Sequence, residues 1–189
     1  INSCEFEKNK AHCSVIKDAG DDPDVTHGAE IVVDLELTSN PNSIEIDGGE
    51  GVGRVTKPGI GLEIGQAAIN PTPRKMIIEN LTEVGKEILE KNGIRVIISV
   101  PKGRELGPKT DNPRIGIVDG ISILGTSGIV MPYSTASFAA AIRQQLDVVL
   151  SMGDDTVVLT TGGRSEDFAR NVFDLPDHSF VQFGDFSGY

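Results

Sequence analysis

The first half of the chain contains several short segments in which apolar and polar residues alternate. Alternation with period two is typical of half-buried β-strands, whose side chains point to opposite faces in turn. The pattern predicts strands at 4–7 and 12–17, joined by the polar turn EKNK, and further strands at 31–37 and 43–46. A more uniformly apolar segment at 95–101 indicates a short buried strand.

A longer apolar period, of three to four residues, occupies 69–93. Pro71 and Pro73 precede the repeat, and Asn92-Gly93 supplies a C-terminal stop. Four apolar residues fall on one face: Ile77, Leu81, Val84 and Ile88. We therefore predict one amphipathic helix here. The segments 18–28 and 103–114 are polar and contain prolines, and we predict that both are loops.

The pattern changes near residue 133. A helical segment at 134–153 is followed by a strand at 156–161, a Gly-Gly turn, a helix at 164–173 and a strand at 179–183. Alternating helices and strands are typical of a parallel sheet. We predict an α+β domain over 1–132, with mostly antiparallel strands plus a helix. It is interrupted by, or joined to, an α/β domain with a parallel sheet that begins within 133–189.

The composition narrows the class of protein. The chain has 189 residues, of which 38% are hydrophobic, enough to bury a core. No apolar run approaches the roughly 18 residues that span a bilayer, and the N-terminus lacks the order of a signal peptide, so a cytoplasmic protein with no membrane partner is expected. Cys4 and Cys13 are placed to face each other across the predicted hairpin, but two reduced thiols are favoured in that compartment.

The charge distribution is uneven. The net charge of −11 argues against a nucleic-acid partner, which requires a basic surface. Residues 51–114 nevertheless hold eleven basic and seven acidic residues, net +4, whereas the remainder holds six basic and twenty-one acidic residues, net −15. This asymmetry favours an anionic small ligand bound at the basic segment, with a solvated helix face as the alternative for the charges near residue 90.

The segment DGGEGVGRVTKPGIG, residues 47–61, is a candidate for the ligand cleft. Glycines allow positive φ angles and close approach of a ligand to the backbone. A dinucleotide fingerprint would require a helix to begin at this loop, and Pro58-Gly59 excludes one. The remaining interpretations are a loop that presents backbone N–H groups with Arg54 and Lys57 to carboxylates, or a tight turn at a sheet corner.

A second candidate is the turn TTGG at 160–163, between a strand and a helix. A ligand can contact free N–H groups at such a helix N-terminus, and Asp185 lies just beyond the next strand, where an acidic residue often binds ribose hydroxyls. An ordinary β–α turn with a surface aspartate is the alternative.

The acidic loop at 18–28 holds four aspartates and His27. Its spacing does not match a calcium-binding EF-hand loop, and two cysteines without further partners make no zinc site, so no metal site is predicted. Asx turns and a rigid Asp-Pro bend explain the aspartates more simply than a metal site does. No Ser-His-Asp or Cys-His arrangement follows from the spacing.

Five segments taken together resemble one known family. DAGDDPDVTHGAEI, GGEGVGRVTKPG, AINPTPRKMI, GISILGTSGIV and TGGRSE occur in the order and at the intervals of the cobalt-precorrin-5B C(1)-methyltransferase family of anaerobic cobalamin biosynthesis, CbiD. The chain departs from the family in lacking its initial Thr/Gly/Ala-rich segment and its later α/β units, and in having Met131 where relatives often carry a charge.

The resemblance implies S-adenosylmethionine as methyl donor and an anionic cobalt corrinoid as acceptor, so cobalt arrives with the substrate. Contact with neighbouring pathway enzymes is left open. We expect the donor at Thr161, Gly162, Gly163 and Asp185. The expected acceptor-binding residues are Gly49, Gly51, Gly53, Arg54, Lys57, Arg74 and Arg104, with Lys102, Lys109 and Arg114 as further candidate cations.

Methyl transfer from a sulfonium needs in-line positioning and exclusion of water more than acid–base catalysis. If a proton must be removed, Asp22 or His27 is the expected base. Two alternatives remain open at this point. The chain is either another donor-dependent or phosphosugar enzyme with the same fold, or a non-catalytic tetrapyrrole-binding or carrier module.

Overall fold

The computed structural model of the protein describes residues 1–184, so Asp185 lies outside the described residues. The strands are β1 Ser3–Glu7, β2 Lys10–Ile16, β3 Glu30–Thr38, β4 Ile44–Gly48, β5 Arg54–Val55, β6 Gly93–Ser99, β7 Ile117–Val118, β8 Val158–Thr160 and β9 Phe180–Gln182. The helices are α1 Pro71–Val84, α2 Lys86–Leu89, α3 Gly103–Leu106, α4 Thr135–Ser151 and α5 Gly163–Val172, and two 3-10 helices span Gly107–Lys109 and Asp177–Ser179.

The first five predicted strands form one sheet, in the order β1-β2-β3-β6-β4. Its pairs are antiparallel except for β4 with β6, which is parallel because α1 and α2 lie between these strands in the chain. The predicted α+β character is therefore confirmed. Cys4 and Cys13 are direct partners in the β1–β2 register, as the hairpin predicted, and both are free thiols.

The predicted helix at 69–93 is only partly correct. It breaks at Gly85, whose φ of −100° and ψ of 13° are not helical, so α1 and α2 are separate. Ile77 and Leu81 pack against the core as predicted, but Val84 is 81% exposed because the helical period ends there. The predicted loop at 103–114 is also wrong in part, since it contains α3 and a 3-10 helix.

Two buried clusters hold the molecule together. The larger one packs Val96 and Ile98 of β6 against Ile69 and Ile121. The smaller one contains Val55, Ile60, Ala68, Ile115, Ile117 and Val148. Because Val148 belongs to α4, this second cluster fixes α4 against β5 and β7, which form a two-stranded antiparallel sheet.

Beyond α4, the chain folds as a β–α–β unit. Strands β8 and β9 pair in parallel, and α5 lies between them in sequence. The predicted strands and helix of this part are confirmed, with ends shifted by one or two residues. Among residues 1–184, no helix combines the length and the apolar character needed to cross a membrane.

Candidate functional site

A cleft of about 650 Å³ lies where the β–α–β unit meets the earlier part of the chain. One wall is formed by Lys57 and the segment 108–114, and the other by side chains of α5, the second 3-10 helix and β9. Its charged or polar side chains are Lys57, Lys109, Thr110, Asp111, Arg114, Glu166, Arg170, Asp177 and Gln182. We call this space the inter-unit cleft.

Glu166 lies at the floor of the inter-unit cleft, with its side chain only 7% exposed. Its Oε2 accepts hydrogen bonds from Arg114 Nη1 and Gln182 Nε2, both at 2.8 Å. Its Oε1 accepts two more from Arg170, Nε at 3.0 Å and Nη2 at 2.8 Å. A carboxylate with two acceptor bonds on each oxygen is saturated, so Glu166 joins the two parts of the chain and has no lone pair left for a substrate.

Burial raises the pKa of Glu166, but the hydrogen bonds from Arg170, Arg114 and Gln182 outweigh it and hold the pKa below its usual value. Glu166 is therefore ionised at neutral pH and unsuited to act as a general acid. Burial lowers the pKa of Arg170, but its hydrogen bonds with Glu166 and Asp177 outweigh burial and raise the pKa overall. Arg170 also lies over the Phe180 ring, 4.5 Å from its centroid.

Lys57 is the predicted acceptor-binding residue that lines the inter-unit cleft. It is half-buried, and its aliphatic stem lies along the backbone of Gly116. A Cβ added to Gly116 would lie 2.4 Å from Lys57 Cγ, so a larger residue there would displace the stem. The ammonium group forms no hydrogen bond or ion pair with any residue of 1–184.

Arg54 and Arg74, also predicted to bind the acceptor, have partners within the protein. Arg54 Nη1 and Nη2 donate to the two carboxylate oxygens of Asp47 at 2.8 and 3.3 Å, and Nη2 donates to Gly48 O at 2.6 Å. Arg74 donates from Nε to Ile69 O and from Nη1 to the carbonyl oxygen of Ile46. The two guanidinium groups therefore support the backbone around β4, and their role in binding stays a prediction.

The pKa of Asp47 reflects its hydrogen bonds with Arg54. Partial burial raises the pKa of Asp47, but the hydrogen bonds from Arg54 and from the Gly48 N–H outweigh burial. The pKa is lowered overall, so the carboxylate stays charged. Arg104 differs from Arg54 and Arg74. It is exposed on α3 and has no partner within the described part of the chain, which leaves it available to a ligand.

The glycine-rich segment packs backbone against backbone. Gly51 has φ of +71°, and its carbonyl oxygen accepts a hydrogen bond from Ile121 N at 2.9 Å. A Cβ on Gly51 would lie 1.9 Å from Val100 O, and Cβ atoms on Gly103 or Gly120 would lie 2.0 or 2.2 Å from Gly51 O. These distances leave no room for any side chain, so three chain segments meet here only because all three contribute glycine.

Gly49 and Gly53 have the same packing requirement. A Cβ on Gly49 would lie 2.3 Å from Ser99 Oγ, and one on Gly53 would lie 2.4 Å from Ile117 Cγ2. The interpretation as a tight corner therefore accounts for Gly49, Gly51 and Gly53 without a ligand. Contact of Gly49, Gly51 and Gly53 with the acceptor stays a prediction.

The turn at Thr161–Gly163 differs, because open space surrounds it. Gly162 is the N-cap of α5, and Cβ atoms on Gly162 or Gly163 would meet nothing within 4 Å. Ser165 Oγ accepts from Gly162 N at 3.1 Å and lies 3.2 Å from Thr161 Oγ1. The turn leads directly into α5, which carries Glu166 in its first turn.

The predicted bases lie in the loop between β2 and β3. Asp22 Oδ1 accepts a hydrogen bond from Tyr133 N at 3.2 Å. His27 Nδ1 accepts from Ala19 N at 3.1 Å, so this nitrogen carries no proton, and its 3.9 Å separation from Asp18 is not a hydrogen bond. Nε2 then carries the ring proton of a neutral His27. A catalytic role for either residue stays a prediction.

Asp24 stabilises the same loop through contacts with Lys17 and Thr26, which gives this aspartate a structural role. Lys17 Nζ forms an ion pair with Asp24, and Thr26 donates to it from both its hydroxyl and its backbone N–H. Burial raises the pKa of Asp24, but these contacts lower it overall. No group of three or more His, Cys, Asp or Glu side chains within residues 1–184 is placed to hold a metal ion.

The sequence analysis did not identify Glu166, Arg170 or Gln182 as residues of the inter-unit cleft. The contact between Glu166 and Arg170 could have been predicted, because their i,i+4 spacing places them on one face of α5. The partners Arg114 and Gln182 lie 52 and 16 residues away from Glu166, and no local pattern connects them.

Comparison with known proteins gives concordant results. The profile of the CbiD family matches residues 1–132. Cobalt-precorrin-5B C(1)-methyltransferase of Geobacillus kaustophilus is 53% identical over 190 residues, covering 100% of this chain and 51% of the relative. The protein of the same name from Leptospira interrogans is 53% identical over 191 residues, with the same coverage.

A solved structure also matches, that of the cobalamin biosynthesis protein CbiD from Archaeoglobus fulgidus. It is 31% identical, covers 96% of this chain and 56% of that chain, and has a TM-score of 0.49. The chain spans about half the length of the curated relatives that it matches.

Proposed function

The chain belongs to the CbiD family, and on this premise we propose that the protein is an S-adenosylmethionine-dependent C-methyltransferase. Its acceptor would be cobalt-precorrin-5B, methylated at ring carbon 1 in cobalamin biosynthesis. The observation that carries the proposal is 53% identity along the entire chain to proteins named for this reaction.

Two domains are part of the proposal. The first covers 1–132 and provides the acceptor side, and the second begins at 133 as an α/β domain and provides the donor side. The parallel pairing of β8 with β9 supports the second assignment. The polar contacts of Glu166 with Arg114 support a fixed orientation between the two sides.

The residues of the turn fit a sulfonium amino acid such as S-adenosylmethionine. Open space over Gly162 and Gly163 admits close approach to the backbone, and the N-terminus of the ten-residue α5 favours a carboxylate. Thr161 Oγ1 is an additional exposed hydroxyl at the turn. Thr161, Gly162 and Gly163 would hold the donor, and Asp185 is proposed to contact its ribose. Bound there, the donor supplies an activated methyl group.

The contribution of the protein itself is to orient two ligands and to exclude water between them. Lys57 and Arg104 would bind acceptor carboxylates, since their cationic groups have no internal partner among residues 1–184. Glu166 would hold α5 at a fixed distance from the segment 108–114. If ring methylation requires loss of a proton, Asp22 is the proposed acceptor of that proton, with His27 as the alternative once its Nδ1 is released from the Ala19 N–H.

Donor binding tests the proposal against its alternative, a non-catalytic tetrapyrrole-binding or carrier module. The full-length protein should bind S-adenosylmethionine in calorimetry, because a methyltransferase must and a carrier need not. Gly163→Ala and Gly163→Val should fold normally, since a Cβ meets nothing there, yet the larger side chain should weaken donor binding by about tenfold or more. Absence of donor binding by the wild-type protein would contradict the proposed function.

A further inference from the structure

The inter-unit cleft has a specific balance of charge. Its walls carry four cations, Lys57, Lys109, Arg114 and Arg170, and three carboxylates, Asp111, Glu166 and Asp177, so its formal charge is +1. A space with this charge favours a single negative charge over a doubly charged phosphate, which the carboxylates would repel.

Two of the arginine side chains are largely neutralised by the protein. The Arg170 guanidinium forms ion pairs with Glu166 and Asp177, and Arg114 Nη1 donates a hydrogen bond to Glu166. The hydrogen bond of Arg114 to Glu166 occupies only Nη1, so Nε and Nη2 of Arg114 remain as donors. Lys57 and Lys109 have no anionic partner within residues 1–184. The charge available to a ligand therefore lies on Lys57, Lys109 and the free edge of Arg114.

The backbone under these cations is fixed. Lys57 lies over Gly116, which has φ of +75°. Lys109 ends a 3-10 helix whose first residue, Gly107, packs on Gly120, because a Cβ there would lie 2.4 Å from Gly120 O. Arg114 is held by Glu166, which is itself buried. Lys57 and Arg114 therefore lose less conformational entropy when they bind a ligand, because the fold already restricts their side chains.

We propose that Lys57, Lys109 and Arg114 form a subsite for one carboxylate side chain of the acceptor, located at the junction of the two sides of the molecule. This inference rests on the proposed function and makes it more specific. Glu166 is a positioning residue in this subsite, since it acts through Arg114. Because α5 begins at the proposed donor turn and carries Glu166 in its first turn, a carboxylate bound here would bring the acceptor towards the donor.

The subsite is tested by binding of uroporphyrin, a fluorescent tetrapyrrole with many carboxylates, to the full-length protein. Lys57→Gln and Lys109→Gln should each raise its Kd by about 10-fold, and the double variant by roughly 100-fold, as expected for the loss of charge-assisted hydrogen bonds. The matched control Lys86→Gln/Lys91→Gln changes two exposed lysines elsewhere and should alter Kd by less than about twofold. Propionate should compete with uroporphyrin, and inorganic phosphate at equal ionic strength should not.

Methyl transfer to the cobalt acceptor separates the two proposals. In Lys57→Gln/Lys109→Gln, KM for the acceptor should rise while KM for S-adenosylmethionine stays within about twofold of wild type. Methyl transfer with an unchanged acceptor KM, or uroporphyrin binding indifferent to both lysines, would overturn the subsite. Lysine-dependent binding of uroporphyrin without any methyl transfer by the wild-type protein would instead overturn the proposed function. Arg substitutions at both lysines, which keep the charge, should restore binding.

Discussion

Arg114 Nη1 and Glu166 Oε2 lie 2.8 Å apart, and this ion pair joins segments that are 52 residues apart in the chain. The Glu166 side chain is 7% exposed and that of Arg114 is 28% exposed, so the pair is largely shielded from water. An ion pair of this kind is costly to break from one side only, because the remaining charge stays buried without a partner. The orientation of the β–α–β unit therefore depends on both residues.

Replacement of Glu166 tests this dependence. Glu166→Gln removes the charge that neutralises Arg114 and Arg170, and the free energy of unfolding should fall by about 2 to 4 kcal/mol. Urea unfolding followed by circular dichroism measures the change. The matched control is Glu79→Gln, because Glu79 is 62% exposed and its contact with Lys75 is 3.7 Å long. It should cost less than about 0.5 kcal/mol, and equal losses in the two variants would contradict a structural role for Glu166.

The stability should depend on pH in the acid range. Glu166, Asp24 and Asp47 all have pKa values lowered in the folded protein, from ordinary values of 4.5 for Glu166 and 3.8 for the two aspartates. The stabilisation is complete above the unfolded pKa and is lost as the pH falls through the folded pKa. The contribution of these three carboxylates to the free energy of unfolding should thus be constant from about pH 7 to 6 and decline below about pH 5.

Glu166→Gln provides the control for the acid range, since one titrating group is gone. Its decline between about pH 5 and 3 should be shallower than that of the wild-type protein. A parallel decline in both proteins would show that Glu166 does not contribute to the acid lability.

Glycine at position 51 should be required for folding. Gly51→Ala places a Cβ 1.9 Å from Val100 O at φ of +71°, so backbone must move as well as adopt a strained angle. The loss should exceed about 3 kcal/mol or prevent folding. Gly61→Ala has a similar φ of +75° and open space, and should cost only about 1 kcal/mol. A similar loss in the two variants would argue against close packing around Gly51.

The two thiols should differ in reactivity. Cys4 is exposed, whereas Cys13 is half-buried, and a hydrogen bond with Cys4 together with burial raises the pKa of Cys13. Iodoacetamide at neutral pH should therefore modify Cys4 first, as followed by mass spectrometry of peptides. Cys4→Ala should accelerate modification of Cys13 because that hydrogen bond is lost. Faster labelling of Cys13 in the wild-type protein would contradict this account.

The sequence was informative wherever structure is local. The β1–β2 hairpin, including the opposition of Cys4 and Cys13, follows from alternation around a polar turn, and α5 follows from its period and its Gly-Gly start. The break between α1 and α2 was missed, because Gly85 within a helical period is as compatible with a continuous helix as with a turn.

Long-range contacts could not be predicted. The sequence of the glycine-rich segment is compatible with both a ligand loop and a tight corner, because it gives no sign that Gly103 and Gly120 pack against Gly51. The partners of Arg54 and Arg74 are carbonyl oxygens and one carboxylate, which become neighbours only after β4 joins the sheet. A free cation and a cation with a partner in the fold look the same in a sequence, and for this reason Lys57 could not be separated from Arg54.

Mass spectrometry of one reaction tests the central claim most directly. The full-length protein is incubated with the cobalt corrinoid intermediate and S-adenosylmethionine that carries a deuterated methyl group, with Lys57→Gln/Lys109→Gln in parallel. The account predicts one labelled methyl group on the acceptor with the wild-type protein, and a much lower yield with the double variant at limiting acceptor. Recovery of unmodified acceptor from the wild-type reaction, with donor and acceptor both shown to bind, would contradict it.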